Sequence, residues 1–161
     1  MNTKLLAFGM LAASTFAAPA QAQVQRSPYG PPITLDQAKR VVAAAEAEAR
    51  KNNWTVSIAV VDSGCNLVLL HRIDNSNLGG IAVSQDKANS ACLYRASTRG
   101  AEQALAQGGL NIRLLALRGM VPLEAGIPIV VNGQQIGSIG VSGVQSNEDG
   151  LIAQAGADAL K

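Results

Sequence analysis

Apolar positions along this chain repeat with two periods, and the switches between them mark out the elements. From Thr34 onward the spacing is helical: Leu35, Ala38, Val42, Ala45 and Ala49 fall on one stripe, and Lys39, Arg40, Glu46, Glu48 and Arg50 lie mostly off it. Thr34 is a good N-cap, Gln37 stands where a capping box needs its reciprocal acceptor, and Asp36 complements the helix dipole. This helix should end near Asn52-Asn53. The period then drops to two. Val56, Ile58 and Val60 alternate with Thr55, Ser57 and Ala59, which predicts a strand over Trp54–Asp62. Turn material at Ser63-Gly64-Cys65-Asn66 leads into a second strand, Leu67–Ile73, so the pair forms a hairpin. Helical spacing returns over Val83–Ser97, with Ser84 as candidate cap and Asp86 in the first turn, and again over Thr98–Ala106. Gly108-Gly109 breaks the chain, and Asn111–Leu123 is apolar and ambiguous between helix and strand up to Pro122.

The stretch around which the rest is organised is Gly126–Gly143. Two β-rich runs flank Asn132-Gly133, the dipeptide that suits a two-residue type I′ turn because both turn residues need φ > 0. A plain two-residue hairpin sets Ile129 opposite Ile136 and Ile127 opposite Ser138. Ile127, Ile129, Val131, Ile136, Ser138 and Gly140 then share one face, and Pro128, Val130, Gly137, Ile139 and Val141 the other. Neither face is strongly polar, so the hairpin should be covered on both sides. We expect helices on one face and a partner subunit near the other. Gly137, Gly140 and Gly143 weaken a strand unless some other group comes close. A closing helix over Ser146–Leu160 is capped by Ser146 or Asn147, and Glu148 and Asp149 load its first turn with negative charge. The element order is α-β-β-α-α-β-β-α, an α+β fold with an antiparallel sheet flanked by helices.

The chain's 161 residues suit one domain, and with 3% aromatic residues its core must be built of Ala, Val, Ile and Leu. Met1–Ala22 reads as a bacterial export signal: Lys4 begins it, Leu5–Ala18 is apolar, and Ala20-Gln21-Ala22 has the small-x-small cleavage pattern. The apolar run is short for a membrane span, so the mature chain should be periplasmic or secreted, with no span after cleavage. Gln23–Ile33, with Pro28, Pro31 and Pro32, is an extended, mobile leader, and a single domain covers residues 34–161. The formal charge of +2 leaves no basic footprint for a nucleic acid. Cys65 and Cys92 could form a disulfide in an oxidising compartment, but the preferred reading is two free, partly buried residues. Two Cys and one His without ligand spacing make a poor zinc site, so no metal is expected.

Candidate chemistry gathers at His71-Arg72-Ile73-Asp74 and Lys87. His71 is the chain's single histidine and could serve as a general acid or base, or as the axial ligand of a haem in an apolar pocket. Tyr94 and Met120 are weaker candidates for that axial role. Arg72 and Lys87 could hold a carboxylate, with Asp74 orienting Arg72. Lys87 stands near the start of the predicted helix, where the dipole disfavours a cation, so it should have a partner. Gly140-Val141-Ser142-Gly143-Val144 falls one residue short of a nucleophile elbow and does not lead sharply into a helix. Glu148 and Asp149 are most simply dipole-complementing residues.

Together these stretches resemble a known family. Val60-Val61-Asp62-Ser63-Gly64, Arg72-Ile73-Asp74, Lys87-Ala88, Gly126-Ile127-Pro128-Ile129 and Ile136-Gly137-Ser138-Ile139-Gly140-Val141-Ser142-Gly143 are similar, in order and spacing, to the GlcG/HbpS-like proteins. The resemblance covers about Ile33 to Leu160. It implies a profilin-like or PAS-like domain that assembles into dimers or larger oligomers. Its characterised members include an extracellular haem-binding and haem-degrading protein that signals to a sensor kinase, a haem-binding domain fused to a cobalamin adenosyltransferase, and a protein encoded with glycolate oxidation. Here Cys65 stands where relatives often have Gly, Ile73 where they often have Met, and the first helix lacks the histidine that one haem-binding relative uses. The resulting expectation is an exported, oligomeric small-ligand-binding protein with haem as the ligand and His71, Arg72, Asp74 and Lys87 at the site. Two alternatives stand beside it: an enzyme acting on a small carboxylate or oxo-acid, and a non-catalytic partner of a sensor protein.

Overall fold

A computed structural model describes residues 26–161, so the export-signal reading of residues 1–22 lies outside the described residues. Helix α1, Leu35–Lys51, begins where local chemistry places it. The Thr34 hydroxyl accepts from the Gln37 N–H at 3.2 Å, and the Gln37 side chain accepts from the Thr34 N–H at 2.9 Å. Strands β1, Ser57–Asp62, and β2, Leu67–Arg72, follow as the expected hairpin. Helix α2, Gly79–Tyr94, starts a turn earlier than its apolar spacing predicts. Ser84 does not cap it: the Asn77 side chain accepts from the Gly80 N–H at 2.7 Å, and Ser84 is buried inside the helix. Arg95, at φ 49°, ends α2, and the Ser97 hydroxyl caps helix α3, Thr98–Ala106. The ambiguous apolar stretch, Asn111–Leu123, begins in a 3₁₀ helix over Gly109–Ala116 and is neither helix nor strand from Leu117 to Leu123. Strands β3, Gly126–Val131, and β4, Gln134–Ser142, precede helix α4, Ser146–Asp158. Gln145, rather than Ser146 or Asn147, is the α4 N-cap, and its N–H donates to the Glu148 carboxylate at 3.1 Å.

The four strands form one antiparallel sheet in the order β2-β1-β4-β3, so the first and last hairpins meet through β1 and β4. Asn132 and Gly133 take φ values of 50° and 75°, as a type I′ turn requires. The expected register holds only next to the turn. Val131 pairs with Gln134 and Val130 with Gln135, but a bulge then sets Ile129 opposite Gly137 and Ile127 opposite Ile139. Ile136 is the extra residue. The slip corrects the expected faces, because it places Ile127 and Ile129 with Ile139 and Val141, while Ser138 and Gly140 face the other way.

Both faces of the sheet are covered by the chain itself. On one, Val41, Ala45 and Ile152 of α1 and α4 pack on Ile58, Val60 and Ile139. On the other, Ala88 and Cys92 of α2 pack on Ala59 and Val61. The face expected to await a partner subunit is therefore occupied by α2. A Cβ built on Gly140 would land on the Ser84 carbonyl and the Ala88 amide, so the group that comes close to this glycine is the α2 backbone. Cys65 and Cys92, expected to be free, form a disulfide with Cα atoms 5.7 Å apart, tying the β1–β2 turn to α2. Residues 27 apart in sequence are brought together because α2 lies back across β1, which linear spacing does not reveal. The described part of the leader, residues 26–33, is fastened to β4. Gln135 donates to the Pro28 carbonyl and accepts from the Gly30 N–H, and Ile33 donates to the Ile136 carbonyl, each at 2.8 Å.

Candidate functional site

The four residues singled out in the sequence do not converge. His71 pairs with Ile58, whose side chain faces α1, and its Nε2 lies 3.1 Å from a Glu46 carboxylate oxygen. Arg50, one helical turn beyond Glu46, donates to the same carboxylate at 2.7 Å, so α1 presents a charged edge to β2. Arg72 pairs with Ser57 and points the opposite way. Its guanidinium donates to the Ser76 hydroxyl and carbonyl, both at 3.3 Å, so Ser76 holds the position expected of Asp74. Asp74 is exposed and lines a cleft of about 290 Å³ with Arg50, Asn53, Trp54, Thr55 and Ile73.

Lys87 lies apart from all three. It sits mid-helix in α2, and its ammonium donates to the Val141 carbonyl and to Asp149, each at 2.9 Å. Both side chains of this ion pair are 2% exposed. Asp149 also accepts from the Val144 N–H at 3.1 Å. Burial pushes the Asp149 carboxyl above its ordinary range, and Lys87 opposes that shift. The expected partner of Lys87 therefore exists, but the pair fastens α2 to the start of α4. Asp149 does more than complement a helix dipole.

A third region is built from residues the sequence ranked lower. Between the end of α2, α3 and the 3₁₀ helix lies a cleft of about 290 Å³, with mainly apolar walls that include Ala101, Leu114 and Leu117. Tyr94 and Met120 both line it. Ser90 and Tyr94 are one turn apart on α2 and share a face. The Ser90 hydroxyl donates to the Gly119 carbonyl at 2.6 Å and accepts from the Val121 N–H at 2.7 Å. The Tyr94 hydroxyl donates to the Arg118 carbonyl at 2.8 Å. These three bonds flank Met120 in the chain and fasten its segment to α2. Beyond the cleft, Leu110, Ile112 and Leu115 are 81%, 65% and 60% exposed, an apolar flank of unusual density. The sequence signal for this site was the apolar, strand-or-helix ambiguity of the stretch after Gly109. A cleft of about 280 Å³ with mixed walls also lies between α3 and α4, lined by Arg99, Glu124, Asn147 and Gln154 together with Ile127 and Leu151. Among the described residues, no three His, Cys, Asp or Glu side chains gather as a metal site, and no helix is long and apolar enough to cross a membrane.

The family described as haem degrading protein HbpS-like matches residues 33–158. Protein GlcG of Escherichia coli K12 is 41% identical over 110 residues, spanning 68% of this chain and 81% of GlcG. The crystal structure of Klebsiella pneumoniae protein ORFY superposes with a TM-score of 0.76 at 31% identity, covering 86% of this chain and 97% of that one. A double mutant of Streptomyces reticuli HbpS superposes with a TM-score of 0.74 at 30% identity, covering 93% of this chain and 99% of that one.

Proposed function

This chain belongs to the HbpS-like family, and from that premise we propose that it is an exported haem-binding protein whose porphyrin seat is the cleft beside Tyr94 and Met120. The observation that carries this reading is the meeting of a phenol and a thioether, both established haem ligands, on one mainly apolar wall. Tyr94 would hold the iron through its hydroxyl, which would give up the Arg118 carbonyl at a cost of about 1 kcal/mol. Leu114 and Leu117 would supply apolar contact for the macrocycle. The cleft is at the small end of ligand pockets, about 300 Å³, so it would seat part of the ring. The exposed flank of Leu110, Ile112 and Leu115 continues the apolar surface, and a second copy of the chain covers it. His71 is the competing ligand, but Glu46 faces its Nε2, and its surroundings on α1 are charged. The Cys65–Cys92 disulfide supports export to an oxidising compartment.

Hemin titration of the mature protein tests this reading. We expect a saturable Soret change, a phenolate charge-transfer band lost in Tyr94→Phe, and an unchanged spectrum in His71→Ala. A flat titration removes haem as the ligand. A spectrum altered by His71→Ala and untouched by Tyr94→Phe moves the site to the α1–β2 edge.

A further inference from the structure

Among the described residues lining the Tyr94 cleft, one alone is charged: Arg26. It comes from the leader, far from the other walls in sequence, and the leader is held in place from two sides. On one side, Gln135 brackets Tyr29 through the Pro28 carbonyl and the Gly30 N–H. On the other, the Tyr29 hydroxyl meets the last carbonyls of α2, Cys92 at 2.9 Å and Leu93 at 3.3 Å. The Arg95 guanidinium lies 5.2 Å from the centre of the Tyr29 ring, within cation–π range. Cys92 is itself tied to Cys65, so the anchoring carbonyl belongs to a cross-linked segment. Arg26 lies two positions before Pro28, about 7 Å of extended chain, which keeps the guanidinium near the cleft mouth.

We propose that the leader is a strap that makes Arg26 the specificity residue of this cleft, selecting ligands that join a flat apolar body to a carboxylate edge, with Tyr29 as the residue that positions it. The proposal rests on the Tyr94 cleft being the ligand seat. A cation on a wall otherwise uncharged among the described residues is complementary to an anion. The planar guanidinium fork matches a carboxylate with two parallel hydrogen bonds, which an ammonium does not. The apolar walls take the body of the ligand and Arg26 takes its edge, so neutralising the edge should erase the contribution of Arg26.

The test compares hemin with hemin dimethyl ester, whose carboxylates are masked, in the same dilute detergent and with the full mature chain. Arg26 is exposed, and its substitution should leave the fold intact, as checked by circular dichroism. Arg26→Ala should weaken hemin binding about three- to five-fold, the upper part of the range of a solvent-exposed charge pair. It should leave ester binding unchanged. Arg26→Lys should recover part of the loss, and Arg26→Glu should deepen it. Tyr29→Phe keeps the ring under Arg95 and removes the two hydroxyl contacts, so it should lower hemin affinity and spare the ester. Equal hemin affinity in wild type and Arg26→Ala, or equal losses for hemin and ester, overturns the strap while leaving the seat intact. If the wild type binds neither compound, or binding ignores both Tyr94→Phe and Leu117→Ala, the seat itself is wrong and the role of Arg26 falls with it.

Discussion

Replacing Lys87 with Met distinguishes a structural from a ligand-binding role for this residue. Methionine keeps a long apolar stem and removes the ammonium. Asp149 would remain 2% exposed, with the Val144 N–H as a remaining donor and its opposite charge gone. Breaking a buried ion pair from one side costs about 3–5 kcal/mol, because it strands the other charge. With a urea slope of about 2 kcal/mol/M, the unfolding midpoint should fall by about 2 M. Lys87→Met/Asp149→Leu removes both charges and should recover most of that loss. The pH dependence has a defined sign. Burial already raises the Asp149 carboxyl, and removing Lys87 raises it further. The folded variant then binds a proton that the unfolded chain does not, between the unfolded carboxylate range and the raised folded value. Its stability is fullest below that window and is lost as pH rises through the folded value, so the deficit should be larger near about pH 8 than near about pH 5. A midpoint shift below about 0.5 M, or a double variant as unstable as the single one, would refute a structural ion pair. Preserved stability with lost ligand affinity would instead restore Lys87 as an anion holder.

Thiol titration of the native protein should find neither Cys65 nor Cys92 reactive. Closing a loop of 27 residues contributes about 3.5 kcal/mol by chain entropy, so Cys65→Ala/Cys92→Ala should lower stability by about that much in denaturant melts; an unchanged midpoint would contradict it. Gly140→Ala forces α2 off the sheet and should cost more than about 3 kcal/mol, or abolish soluble expression; a loss under about 1 kcal/mol would show that α2 does not pack as described. Thr34→Ala removes one half of the capping box and should cost about 1 kcal/mol, read as a lower thermal midpoint.

Much of the architecture was legible because it depends on neighbouring residues. Thr34 and Gln37 mark the α1 start through bonds that span a single turn. Asn132-Gly133 fixes the second hairpin because two adjacent residues must take positive φ. Apolar spacing places the start of α2 a turn late because its opening glycines carry no apolar signal, and Asn77, which accepts from the Gly80 N–H, lies outside the periodic stretch. At the candidate site, Tyr94 and Met120 were visible as ligand types but not as neighbours. Ser90 and Tyr94 bring the 118–121 segment back onto α2 through three hydrogen bonds between residues far apart in sequence. His71, Arg72, Asp74 and Lys87 were grouped by nearness along the chain and at predicted element ends, and strand alternation sends His71 and Arg72 to opposite faces.

The sequence by itself determined the element order, the antiparallel hairpins and the family, since periodicity, capping and turn chemistry act over a few residues and motif order survives in one dimension. Tertiary structure alone decided what each element meets. It introduced the bulge at Ile136, because the covered sheet must place Ile127 and Ile129 on the α1–α4 face. It closed Cys65 onto Cys92, buried Lys87 against Asp149 and laid Tyr29 across the end of α2. Each of these joins residues tens of positions apart, so its energy exists only once the chain has folded back on itself.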